Sequence, residues 1–314
     1  MEVLNSSISS FKKFVIKIII PLILFILVIG FTFQYFFEKI IILNSDINGS
    51  YKVNRIINEY FPDEIPILGS SRAEGTYVPS IINENCFNYG LAGAQDDVLL
   101  FFMHKECNKN KNTPIIVNFD IDGLNHSLGN ISNYIYNSND SSVKDLLRNE
   151  YKFIFRIPFF KYYGYYEYFL KMYLNTKINM TKKTDKGASL ELNTLTNSKF
   201  QELVNQRIIT FEEFKNTPKL EFNLLNLIKE NTHRKFIFIV APYHKSCFVN
   251  FRNIHDVRAF LNKLSLFHNV RTFDFTNADY PDSFYMNTSH LNYLGAKRFS
   301  IELKDSLTQN NLLK

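Results

Sequence analysis

Three short stretches of the chain carry residue types that could perform acyl chemistry. Residues 65–75 read IPILGSSRAEG, an apolar run that stops at a glycine and then delivers Ser70, Ser71 and Arg72. Residues 86–93 read CFNYGLAG, a second apolar run that closes on Gly90 and Gly93. Residues 287–300 read NTSHLNYLGAKRFS, with His290 just ahead of a helix-like pattern. A hydroxyl nucleophile needs a base within hydrogen-bond reach and donors for the oxyanion that develops during attack. A serine at one strand end, a glycine turn at the next and a histidine before the last helix supply all three. Each also has a purely structural reading. A serine before a helix usually caps it, a glycine pair usually makes a tight turn, and such a histidine usually lies at the surface or caps a helix. Found together and in this order, they point to chemistry.

The elements that must position these residues can be read from the hydropathy pattern. IPILG (65–69), CFNYGLAG (86–93), PIIVNFDID (114–122), KFIFIVAPYH (235–244) and VRTFDFT (270–276) read as five strands. The third is a near-continuous apolar run, as a parallel strand covered on both faces should be. Helical spacing appears over residues 95–109, 249–267 and 295–307. Strands alternating with helices predict an α/β fold whose parallel sheet is wrapped on both faces. Ligands bind beyond the carboxyl ends of such strands, which adds Asp120, Asp122, Tyr243 and His244 to the candidate residues.

At 314 residues the chain can hold one large domain or two small ones, and 46% hydrophobic with 21% charged residues is a globular composition. The net charge of +6 comes from Lys and Arg scattered among Asp and Glu. That pattern offers no phosphate-binding stripe and argues against a nucleic-acid partner. Cys86, Cys107 and Cys247 are an odd number without metal-ligand spacing, so they read as small buried hydrophobes, and no metal is expected.

The N-terminus reads as a membrane anchor. Ile18–Phe33 runs IIIPLILFILVIGFTF without a charge, and the apolar stretch Phe14–Phe37 is long enough to cross a hydrocarbon layer of about 30 Å. No small-residue cleavage site comes after it. Lys12, Lys13 and Lys17 precede the span while Glu38 and Lys39 balance after it. The positive-inside rule then leaves the short tail in the cytoplasm and sends residues 40–314 across the cytoplasmic membrane, to a periplasmic or extracellular position. The expected organisation is a tail and anchor over 1–39, a juxtamembrane stalk over 40–62, an α/β domain over 63–124 and 231–314, and a mainly helical, aromatic-rich insertion over 125–230. Within the insertion, residues 151–175 (YKFIFRIPFFKYYGYYEYFLKMYLN) form a dense aromatic cluster interleaved with cations. It could pack its rings on the main sheet, stack against sugars, or rest on a membrane.

The order GxS, N-x-G-x-x-G and H-L-N-x-x-G resembles the SGNH (GDSL-like) hydrolase superfamily, in particular its membrane-anchored branch associated with acylation of cell-surface polysaccharides. The resemblance covers roughly residues 63–123 and 234–308 and implies a flavodoxin-like three-layer α/β/α fold. It makes Ser71 the nucleophile, with Ser70 in place of the usual aspartate, and His290 the general base. It assigns the oxyanion hole to the backbone N–H groups of Ser71 and Gly93. Two departures stand out. The third block, VNFDIDGL, has no asparagine in the place expected to serve the oxyanion, and the acid position three residues before His290 is Asn287, with Asp282 and Asp279 as nearby alternatives. Arg72, Tyr243 and His244 are the expected substrate contacts.

The resemblance thus implies an acyl-ester enzyme, an esterase or O-acyltransferase, that needs no cofactor. Its expected partners are an acylated glycan or acyl donor and the membrane lipid around the N-terminal helix. A transferase would also need a multi-span membrane protein to carry acyl groups across. The other readings are a non-catalytic surface-assembly protein that keeps the fold and glycan groove, and a lipid-facing esterase.

Overall fold

The computed structural model describes residues 11–121, 126–178, 182–194, 198–199, 201–202, 216–248 and 254–313. Asp122, a candidate at a strand end, and residues 249–253, the start of an expected helix, lie outside the described residues. Helix α1 (Phe11–Ile42) is long and apolar enough to cross a membrane, with a mean hydropathy of 3.0 over an 18-residue window. It leads to α2 (Gly49–Asn58), which Asn48 caps by accepting the Ser50 N–H. The chain then forms β1 (Ile65–Leu68), α3 (Ser71–Thr76), β2 (Cys86–Asn88), α4 (Asp96–Cys107) and β3 (Ile115–Asn118). After short helical segments that include Ser132–Ile135 and Ser141–Leu147 come helix α5 (Tyr166–Ile178) and the strands β4 (Lys182–Asp185) and β5 (Ala188–Glu191). Helix α6 (Pro218–Glu230), β6 (Phe236–Val240), α7 (Ile254–Ser265), β7 (Val270–Asp274) and α8 (Tyr293–Gln309) complete the order.

The main sheet runs β2-β1-β3-β6-β7 with every neighbouring pair parallel. With the β4–β5 hairpin set aside, this is the flavodoxin-like order, and its switch point lies between β1 and β3. The α/β expectation therefore holds. Helices cover both faces. On one, Val53 and Ile56 of α2 join Phe102 of α4, Leu224 of α6 and Phe260 of α7. On the other, Ala73 of α3 meets Phe299, Leu303 and Leu307 of α8. Every residue of β1, β3 and β6 is buried as a result, which is why these strands read as continuous apolar runs rather than alternating ones.

Three features differ from the sequence reading. Residues 40–62 are not a free stalk, because α2 contributes Val53 and Ile56 to the main core. The region between β3 and β6 contains a hairpin, β4–β5, as well as helix. Its turn places Lys186 (φ 43°) and Gly187 (φ 87°) in the left-handed region, the geometry of a two-residue type I′ loop. Ala188 and Leu190 then point inward and alternate with half-buried Ser189 and Glu191. Finally, the aromatic cluster packs chiefly on the C-terminal half of α1 and not on the main sheet. Phe155, Tyr162 and Phe169 share one core with Phe37 and Ile42.

The three cysteines are free and buried, as the sequence suggested. Burial pushes the Cys86 and Cys107 thiols up to about 12, which leaves them protonated and unreactive.

Candidate active site

Ser70 and Ser71 follow Gly69 at the carboxyl end of β1, and their hydroxyls take different partners. Ser70 caps α3. Its Oγ accepts the Arg72 N–H at 3.2 Å and donates to Asp120 Oδ2 at 2.6 Å. The capping role considered for this pair therefore belongs to Ser70. Ser71, one residue on, turns its Oγ to 2.9 Å from His290 Nε2. His290 is held on the loop ahead of α8, which Asn292 caps through the Leu294 and Gly295 N–H groups.

Donor bookkeeping bears on the tautomer of His290. Asn287 accepts the backbone N–H groups of Ser289 and His290, both at 2.9 Å, on one side-chain atom. Backbone N–H groups only donate, so that atom must be the carbonyl Oδ1. The same oxygen lies 3.1 Å from His290 Nδ1, a contact that favours the tautomer with the proton on Nδ1. That tautomer leaves Nε2 with a lone pair aimed at the Ser71 hydroxyl. This is the arrangement a general base requires, reached with a neutral residue at the acid position. The hydroxyl of Ser289, 3.1 Å from Nδ1, is a further contact that no sequence pattern signalled.

The alternative carboxylates are placed elsewhere. Asp282 Oδ1 lies 3.0 Å from His244 Nε2. Both Asp282 and Asp279 act on the buried Tyr285 phenol; burial raises its pKa, and the two carboxylates add to the rise against the pull of Arg72.

Of the expected substrate contacts, Arg72 and Tyr243 line the cleft with Ser71 and His290, and all three, His244 included, have internal partners. Arg72 is buried, and four of its N–H groups are spent on the protein. Nε–H donates to Ser289 O, and Nη2 to Ala241 O and Pro242 O, each at 2.9 Å. Nη1 reaches Asp120 at 3.3 Å. The guanidinium also lies 3.3 Å from the centre of the Tyr243 ring. Burial alone would lower its pKa, but the Tyr243 and Asp120 oxygens hold it above the ordinary arginine value. Arg72 is thus a fixed cation that clamps α3 to the His290 loop and to the end of β6. His244 is likewise buried between Ser246 and Asp282, where it shapes the same loop. Tyr243 borders the cleft but accepts the Ile121 N–H and lies under Arg72.

Replacing Arg72 with leucine removes one partner of a buried ion pair and orphans three carbonyls. The expected cost is about 3–5 kcal/mol, seen as a large fall in melting temperature, with Arg72→Lys recovering only part of it. A melting temperature within a few degrees of wild type would contradict the clamp.

The cleft is bordered by Ser71, Gly93, Gln95, Asp120 and His290 and has a volume of about 170 Å³. Among the described residues, the backbone N–H groups of Ser71 and Gly93 are donated to no protein acceptor, which leaves them for an oxyanion. Gly93 adopts φ +73°, a left-handed conformation that turns the chain at the cleft edge. Asn118 does not face the cleft. Its amide bonds Asp120, and its carbonyl accepts the Tyr77 hydroxyl. The cavities of about 410 Å³ and 610 Å³ elsewhere are roomier, but neither is lined by Ser71 or His290.

Lys52 was not foreseen as part of this site. Fully buried on α2, it donates to Glu74 Oε1 of α3 at 3.0 Å and to Gly90 O at 2.6 Å. It therefore ties α3 to the loop that carries Gly93. A lysine in an amphipathic helix has no pattern that marks it for this role. Lys52→Met is expected to destabilise the fold by about 3–5 kcal/mol, because it leaves Glu74 without its cation. An unchanged melting temperature would show that the tie carries no load.

No family model matches the chain, and no curated protein matches it. Among solved structures it is similar to a Streptococcus pneumonia protein described as a platelet activating factor. The identity is 12% and the TM-score 0.41, over 85% of this chain and 94% of that one. It is also similar to an acetyl xylan esterase from the rumen bacterium Butyrivibrio proteoclasticus, with 10% identity and a TM-score of 0.31, over 82% of this chain and 66% of that one. At this level of likeness the chain's own geometry has to carry its function.

Proposed function

We propose that the chain is a Ser–His acyl-ester enzyme, held to the cytoplasmic membrane by α1, with its α/β domain on the outer side. The observation that carries this reading is the Ser71 Oγ to His290 Nε2 contact of 2.9 Å, with the imidazole tautomer favoured by Asn287. In the proposed reaction His290 takes the Ser71 proton as Oγ attacks an ester carbonyl. The Ser71 and Gly93 amides receive the oxyanion, and the alcohol leaves with the proton from His290. Water or a sugar hydroxyl then releases the acyl group, giving hydrolysis or transfer. The small cleft favours an acetyl or similarly short acyl group over a long chain, and cell-surface glycan esters fit both that size and the membrane-anchored resemblance. A transferase of this kind would take its acyl groups from a multi-span membrane partner.

The test is the full chain in detergent against p-nitrophenyl esters of increasing acyl length. A Ser71-dependent rate that is highest on acetate and falls steeply with length supports the proposal. A Ser71-dependent rate that rises with length would point to a lipid-facing esterase. No Ser71-dependent rate on any ester would leave the non-catalytic surface-assembly reading.

A further inference from the structure

The aromatic insertion meets α1 far below the helix's outer end. The charge-free run Ile18–Phe37 measures about 30 Å at about 1.5 Å per residue, a match to a hydrocarbon core. Gly30 lies seven residues inside that end, about 10 Å deep on the same rise. The Phe159 ring is seated on Gly30 so closely that a Cβ there would fall 1.3 Å from a ring carbon. Phe31 meets the same ring edge-on, with centroids 6.0 Å apart. The Phe159 N–H donates to Gln34 Oε1 at 3.0 Å. Phe159 itself is held at φ +72°, a conformation rare for a bulky side chain. If α1 spans the bilayer, the segment bearing Phe159 cannot lie above it.

The surroundings of Phe159 suit that depth. Phe153 is 72% exposed, Phe160 53% and Tyr163 70%, so large apolar surfaces face outward beside α1. Four of the segment's backbone N–H groups are nevertheless bonded from within. Phe155, Ile157, Phe160 and Tyr163 each donate to a carbonyl three residues back, and Pro158 has no N–H to satisfy. Irregular backbone survives at membrane depth only when its polar groups are bonded internally. The charges are arranged in the same sense. Lys161 pairs with Glu38 at 3.2 Å, and Tyr162 donates to that same carboxylate. Exposed Lys152 and Arg156 are left to reach headgroups.

From these observations we infer that residues 153–164 form a wedge sunk into the lipid leaflet on the side of the folded domain, against the outer half of α1. The inference rests on the reading of α1 as a membrane span. The wedge fixes the tilt and height of the α/β domain over the membrane, because it is continuous with α5 and with the core that holds Phe37 and Ile42.

The chain contains no tryptophan, so a single introduced one reports cleanly on its own depth. Full-length Phe160→Trp, Phe153→Trp, Leu24→Trp and Leu266→Trp are each reconstituted into phosphatidylcholine–phosphatidylglycerol vesicles, with or without lipids brominated on their acyl chains. Leu24 lies on α1, and Leu266 is 84% exposed in the segment between α7 and β7. Thermal unfolding matched to wild type certifies the fold of each variant. Phe160→Trp and Phe153→Trp should lose most of their emission to bromine, as Leu24→Trp does, while Leu266→Trp keeps its own. If Leu24→Trp is quenched but the two wedge positions behave like Leu266→Trp, the wedge is refuted and the anchor stands. Blue-shifted wedge emission without quenching would mean that another protein surface covers this face, which also refutes it. If Leu24→Trp is not quenched, α1 does not span the bilayer, and both readings fall.

Discussion

Replacing Ser71 with alanine is expected to bring ester turnover down to the buffer rate, a loss of about 10^4- to 10^6-fold when the nucleophile of a serine hydrolase is removed. The neighbouring change should behave differently. Ser70 Oγ caps α3 and bonds Asp120, so Ser70→Ala costs about 1 kcal/mol of stability and keeps turnover within about tenfold of wild type. The 2.9 Å contact to His290 belongs to Ser71. The two variants therefore separate a nucleophile from a cap that differ by one position. Equal losses, measured as kcat on p-nitrophenyl acetate, would show that the assignment within Gly69-Ser70-Ser71 is wrong.

The second large effect is expected at Asn287. In the serine-protease template, an amide in place of the acid costs about four orders of magnitude, because it holds the wrong imidazole tautomer. Here two backbone N–H groups pin Oδ1 toward His290 Nδ1, so the right tautomer is already favoured. What is missing is charge to stabilise the imidazolium that forms when Ser71 gives up its proton. A carboxylate about 4 Å from that charge is worth up to about 4 kcal/mol at an effective dielectric of about 20, and less where solvent screens it. Since His290 is half-buried, Asn287→Asp is expected to raise kcat about 10- to 100-fold. The sign of the accompanying pH effect is fixed. The base must be neutral to act, and a carboxylate favours the protonated ring, so the acid limb of kcat/KM should move to higher pH. Unchanged kcat and an unmoved limb would mean that another group already stabilises the imidazolium. Asp282→Asn should have little effect on rate, because that carboxylate serves His244.

The sheet was legible because its strands are buried on both faces and therefore appear as uninterrupted apolar runs, PIIVN and KFIFIV among them. Ser71, Gly93 and His290 were legible because each belongs to a motif whose spacing is set by local geometry: a strand end, a turn and a helix start. The roles of Arg72 and Lys52 were not. A charged residue beside a serine suggests substrate contact, and only the three-dimensional position of Ser289, Ala241 and Pro242 shows that the guanidinium is used up internally. The pairing of Lys52 with Gly90 joins residues 38 positions apart and leaves no periodic trace. The same holds for the aromatic cluster. Its composition suggested several surfaces, and the choice of α1 rests on spatial fits that leave no periodic trace: the core around Phe37 and the Phe159 ring seated on Gly30.

The central claim, that Ser71 is a nucleophile activated by His290, is tested most directly by intact-mass and peptide analysis of the full chain after reaction with a fluorophosphonate. One adduct is expected, mapped to the Ser71 hydroxyl, absent in Ser71→Ala and formed far more slowly in His290→Ala. Absence of any adduct on the folded wild-type chain, or an adduct that persists in Ser71→Ala, would contradict the claim.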